Sequence, residues 1–78
     1  MKTMTCKQLG GACDQKFQAA TFEEMAALSK AHGMAMWQKN DQAHIRAMNE
    51  MQRLMKSPEA MNHWMENKRK IFEALEND

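Results

Sequence analysis

From Lys2 onward the chain alternates polar and less polar residues, placing Met4 and Cys6 on one side of an extended segment and Thr3 and Thr5 on the other. A period of two is the signature of a strand. Gly10-Gly11 marks a turn, and alternation returns over residues 13–20, where Cys13, Gln15, Phe17 and Ala19 share a face. The pattern predicts a β-hairpin with a loop longer than two residues, its inward face formed by Met4, Cys6, Cys13 and Phe17. Two strands alone are marginal in water, so another element must cover that face.

The period then changes. Thr21-Phe22-Glu23-Glu24 reads as a helix start, with Thr21 capping the first turn and Glu24 completing a capping box. Met25, Leu28, His32 and Met36 follow at spacings of three and four and predict a helix to about Lys39. Gly33 inside it costs about 1 kcal/mol relative to Ala. Asn40-Asp41 breaks the pattern, with Asp41 as the next N-cap. A second helix follows from about Gln42 to Lys56, with Ile45, Met48, Met51 and Met55 along its apolar face, widened by Ala47 and Leu54. Ser57 caps a third helix and Pro58 takes its first position, where a missing N–H costs nothing. Met61, Trp64, Met65, Lys68, Phe72 and Leu75 line one side of it, to near Glu76.

These elements predict an α+β fold: an N-terminal two-stranded antiparallel hairpin packed on a helix, followed by an antiparallel helical pair. The organisation is a single small domain over residues 1–78, with hairpin and first helix in 1–39 and the helical hairpin in 41–76. A chain of this size buries only about 60–65% of its unfolded surface. Such chains often depend on a metal, disulfides or a partner subunit. The shortness also argues against an enclosed catalytic cleft, and no enzymatic activity is expected.

Composition sharpens this picture at two points. Eleven basic against ten acidic side chains leave a net charge of +1, without the basic stripe of a nucleic-acid binder. The run Glu66-Asn67-Lys68-Arg69-Lys70 is balanced by Glu66, Glu73 and Glu76 and reads as a solvated helix face. No apolar run approaches a membrane span of about 18 residues, and MKTMTCKQLGG has no apolar stretch of a secretory signal. The expected setting is therefore the cytosol, with both cysteines reduced. Secondly, ten Met stand against four Leu, two Ile and no Val. Thioethers thus replace the branched aliphatics, giving a soft core, a soft interface or a metal-handling set. The surplus apolar surface on the second and third helices points to a homo-oligomer, a dimer or larger.

The candidate chemistry lies at Cys6, Cys13 and His32. Six residues between the cysteines is not a zinc-knuckle spacing. On the predicted hairpin, however, both thiols face the helix that carries His32. Two thiolates and an imidazole suit Zn²⁺, with a fourth ligand from water, a carboxylate or another subunit. His32 lies some ten residues into its helix, about 15 Å from the start, and meets the cysteines only if the hairpin lies along that helix. The competing readings are two buried cysteines with a core histidine, a disulfide, or a Cys nucleophile lacking any evident oxyanion loop. Met34-Ala35-Met36-Trp37 and His63-Trp64-Met65 offer ligand types that suit Cu(I). Yet Met34 and Met36 point to different sides of one helix, and Met48, Met51 and Met55 form an ordinary amphipathic stripe. His44 and His63 read as boundary or surface positions, with His44 beside the Met48 face.

The opening MKTMTCKQLGGACD, with Phe17, Thr21, Glu23, Glu24 and His32, resembles domain-of-unknown-function family 1059, catalogued as predicted small metal-binding proteins. The resemblance covers about residues 1–37 and rests on Met1, Lys2, Cys6, Gly10, Cys13, Asp14, Thr21, Glu23, Glu24 and His32. It implies metal binding through Cys6, Cys13 and His32. Where many members carry a second His a few residues later, this chain has Met36 and Trp37, so the resemblance supplies no fourth protein ligand. Two functions follow as expectations. One is a small protein holding Zn²⁺ or another thiophilic ion; the other is a Met-rich helical interaction module with no metal.

Overall fold

A computed structural model describes the whole chain, Met1–Asp78. The elements run β1 (Lys2–Thr5), a 3-10 turn (Lys7–Leu9), β2 (Lys16–Ala19), α1 (Phe22–Gln38), α2 (Gln42–Leu54) and α3 (Pro58–Ala74). β1 and β2 pair antiparallel, with Met4 opposite Phe17 and Lys2 opposite Ala19. The α+β architecture is the one that the hydrophobic pattern predicts.

All three helix starts follow from side-chain caps. The Thr21 hydroxyl accepts from the Glu24 amide, Asp41 from the His44 amide and Ser57 from the Ala60 amide. Each satisfies an amide left without a partner in the first turn. The end of α3 is held from elsewhere. No basic residue lies in its last turn, but Lys2 donates from β1 to the carbonyls of Phe72 and Glu73, each at 3.1 Å. A cation there complements the negative end of the helix dipole.

The core is small and lies between the hairpin and the helices. Met4, Cys6, Leu9, Phe17, Ala19, Phe22, Met25 and Phe72 are its buried apolar residues. Phe22 and Phe72 meet edge to face at 5.9 Å and tie α1 to α3. Arg69 reinforces that seam, reaching Glu23 at 3.0 Å and lying over the Phe22 ring.

Three expectations are corrected. The strands are shorter than the alternation suggests, so Cys6 and Cys13 lie in the connection between β1 and β2 rather than on strand faces. Cys6 has helical dihedrals and opens the 3-10 turn. Secondly, Leu28 is 42% exposed. At about 100° per residue it falls roughly 60° to one side of Met25, while Phe22, Ser29 and Met36 fall to the other. Thirdly, α2 and α3 stop at Leu54 and Ala74, and Leu54 and Met61, expected on apolar faces, are 49% and 48% exposed.

Gly33 sits inside α1, and a Cβ built there meets nothing within 4 Å. Gly33→Ala is therefore expected to stabilise the fold by about 1 kcal/mol through helix propensity alone. Urea denaturation measures this; a lower midpoint would show that the position is not free.

Candidate metal centre

The connection between β1 and β2 is shaped by its own backbone. The Cys6 amide donates to the Gln15 carbonyl at 2.8 Å and the Lys7 amide to the Cys13 carbonyl at 3.0 Å, which draws the two cysteine segments together. Gly10 takes a φ of 94° to turn the chain, a conformation that glycine adopts without steric cost. Gly11 is required for a different reason. A Cβ there would lie 2.1 Å from Cys6 Sγ and 3.0 Å from the Cys6 carbonyl oxygen.

Four donor atoms converge at this point. The Sγ atoms of Cys6 and Cys13 and a ring nitrogen from each of His32 and His44 all lie within 4.8 Å of one another. Cys13 Sγ is 3.2 Å from His32 Nε2, and Cys6 Sγ is 3.7 Å from His44 Nε2. A tetrahedral ion with metal–sulfur bonds of about 2.3 Å and metal–nitrogen bonds of about 2.0–2.1 Å needs ligand separations of about 3.3–3.8 Å. Two of the separations already match, and the widest, at no more than 4.8 Å, would close by about an ångström to hold an ion. The set is the S₂N₂ donor group of structural zinc sites.

The three predicted residues, Cys6, Cys13 and His32, are all present. His32 reaches the thiols because the hairpin does lie along α1: the Phe17 ring of β2 packs edge to face on the His32 ring at 5.5 Å. The fourth member, His44, corrects the reading as a boundary or surface residue. It is only 5% exposed, the one buried polar residue of the chain. Its ring stands 5.2 Å from that of His32. No water, carboxylate or second subunit is needed to complete four donors. The disulfide alternative is not formed, since both cysteines are free. His63, by contrast, is exposed on α3, outside the cluster.

Asp41 does two jobs at the start of α2. Its Oδ1 accepts from the His44 amide at 3.0 Å, as the helix cap, and lies 2.8 Å from His44 Nδ1. A carboxylate only accepts, so Nδ1 carries the hydrogen and Nε2 turns its lone pair toward the thiols. This carboxylate–histidine arrangement fixes tautomer and ring orientation at metal sites. The same hydrogen bond raises the His44 pKa above its ordinary value, against the effect of burial. His32 is shifted the other way, first by burial and then by the charge of His44, and so favours the neutral form that ligates.

The thiols differ in the same manner. Burial pushes the Cys6 thiol up, only partly offset by bonds from the amides of Cys13 and Ala12. Burial also acts upward on Cys13, but the Gln15 amide, His44 and Cys6 outweigh it and leave that thiol lowered. Amides that point at sulfur favour thiolate, so the loop supplies donors that would also stabilise metal-bound sulfur. No family model, curated protein or solved structure matches this chain.

The clash at Gly11 gives a prediction. Gly11→Ala should displace Cys6 Sγ and weaken metal binding at least about tenfold, a loss of about 1.4 kcal/mol, while leaving the helices formed. Competition with a chromophoric chelator measures this; unchanged affinity would mean that Cys6 is not a ligand.

Proposed function

We propose that the protein is a small, non-enzymatic metal-binding protein that holds Zn²⁺ or another thiophilic ion through Cys6, Cys13, His32 and His44. The observation that carries this reading is the convergence of two thiols and two imidazoles within 4.8 Å in a chain of 78 residues. The Asp41–His44 hydrogen bond supports it, because it leaves Nε2 free to ligate. The resemblance of residues 1–37 to predicted small metal-binding proteins points the same way. Four protein donors close the coordination sphere, which fits a structural or stored ion better than a catalytic one with an open position.

Cobalt(II) titration tests the proposal. Tetrahedral S₂N₂ coordination gives intense visible d–d bands and thiolate charge-transfer absorption saturating at one equivalent, then displaced by zinc. A pale octahedral spectrum would count against it. The pH response has a defined sign. Metal and protons compete, so the apparent affinity falls as pH falls, by about tenfold per unit for each proton displaced. Those protons come from the thiols and, as pH falls, from the imidazoles as well. The slope should steepen on acidification as the imidazoles protonate, His44 first because Asp41 raises its pKa and burial lowers that of His32.

A second reading, self-association through the Met-rich helices, is favoured by the exposure of Met34, Trp37, Leu54 and Met61, each close to half exposed. Sedimentation should then show a mass above the 9.1 kDa of one chain; a monomer at high micromolar concentration contradicts it. No helix is long and apolar enough to cross a membrane.

A further inference from the structure

Next to the metal centre, and sharing Cys6 and His44 with it as lining, lies a cavity of about 410 Å³ between α1, α2 and α3. Its size falls within the range of about 300–1,000 Å³ typical of small-molecule sites. Met48 and Met51 of α2, with Met55 just past its end, form one wall and Trp64 and Met65 of α3 another. Thioether walls adapt to a flexible apolar guest. On the α1 side Gly33 leaves the space open, since a Cβ there has no neighbour within 4 Å.

The polar part of the lining is sparse and of one sign. Lys30 is its only permanently charged residue, no carboxylate lines the cavity, and Lys30 forms no salt bridge within the chain. Ser29, its neighbour in the chain, and Gln52 on α2 are neutral polar groups of the lining. An apolar chamber with one unpaired cation and no anion selects a guest that carries a hydrocarbon chain and a negative head.

We infer that this cavity binds a free, monomeric medium-chain anionic amphiphile, a carboxylate of about ten to twelve carbons, with its chain along the Met48–Met51–Met55 wall and its head at Lys30. The pocket goes beyond metal binding and does not depend on it: Cys6 and His44 close one side of the chamber, but the guest needs neither donor atom.

The test uses Trp64 as reporter. Trp37, 47% exposed and outside the lining, is replaced by Phe so that a single indole remains. Octanoate, decanoate and dodecanoate are titrated below their micelle concentrations into metal-loaded protein, with dodecyltrimethylammonium as the cationic counterpart. The expected result is a saturable one-to-one change in Trp64 emission, tightening up to about fourfold per added CH₂. Dodecanoate should bind about two- to fivefold tighter than the cation, a margin set by one exposed charge and lost in Lys30→Met. Gly33→Met should fill the chamber and abolish saturable binding without changing metal content or helicity; Ala26→Met, from the same wall, serves if that variant does not fold. Absence of saturable binding, or full affinity in the filled variants, would overturn the inference. So would binding only to anionic vesicles. A dimer that sedimentation shows and Gly33→Met dissolves, with no effect of dodecanoate, would assign the chamber to a second copy of the chain instead.

Discussion

Stripping the proposed metal from the folded protein is expected to lower its thermal midpoint by about 15–30 °C. Ligand binding stabilises the native state by about 4 kcal/mol when free metal stands a thousandfold above its dissociation constant. In a domain of this size each kcal/mol moves the midpoint by about 4–8 °C. The structure shows why the effect should be this large. Only eight apolar residues are buried, too small a core to hold much stability by itself. The four donors come from three separate segments, the β1–β2 connection, α1 and α2, so one ion would staple them together. Without it, a buried imidazole and two thiols remain at the centre of the fold. Differential scanning calorimetry before and after a strong chelator, with metal restored at the end, measures the shift. A change under about 2 °C would mean that the cluster binds no structural ion.

The second large effect is expected at His44. His44→Ala should abolish stoichiometric metal binding, whereas His63→Ala, on the exposed face of α3, should leave it untouched. Asp41→Asn separates the two roles of that side chain. Asn caps a helix about as well as Asp, so α2 should persist, but the carboxylate that orients His44 is gone. Loss of such a partner typically costs about 10–100-fold in metal affinity. The expected order of affinity is therefore wild type and His63→Ala together, then Asp41→Asn, then His44→Ala. Cobalt or zinc competition in the four proteins checks it. Equal affinity in wild type and His44→Ala would place the ion, if any, on three protein ligands.

The element order and all three helix caps were legible because they depend on local signals. Thr21, Asp41 and Ser57 each precede an apolar-periodic run, and each accepts a hydrogen bond from the amide three residues on. Cys6, Cys13 and His32 were found, though by an imperfect route: the thiols converge through a hydrogen-bonded connection with two glycines, not through strand periodicity. Such a loop conformation depends on specific backbone bonds that a two-residue period cannot encode. His44 was missed although a signal existed. It stands four residues before Met48 and so on the Met48–Met51–Met55 face, three residues after the capping Asp41. That face reads as a core or interface stripe until the turn at Asn40, with its φ of 59°, is seen to bring α2 back along α1. The exposure of Leu28, Leu54 and Met61 was illegible for a related reason. Which flank of a wide stripe is covered depends on the angle at which neighbouring elements cross, a tertiary property.

The central claim is that one ion sits among four side chains of a single chain. Native mass spectrometry of untagged protein, purified under reducing conditions without chelator, tests it most directly. The account predicts a mass excess of one thiophilic ion per chain that disappears in Cys6→Ala and in His44→Ala. A clean metal-free mass that stays unchanged after addition of zinc, cobalt(II) or Cu(I) would contradict it.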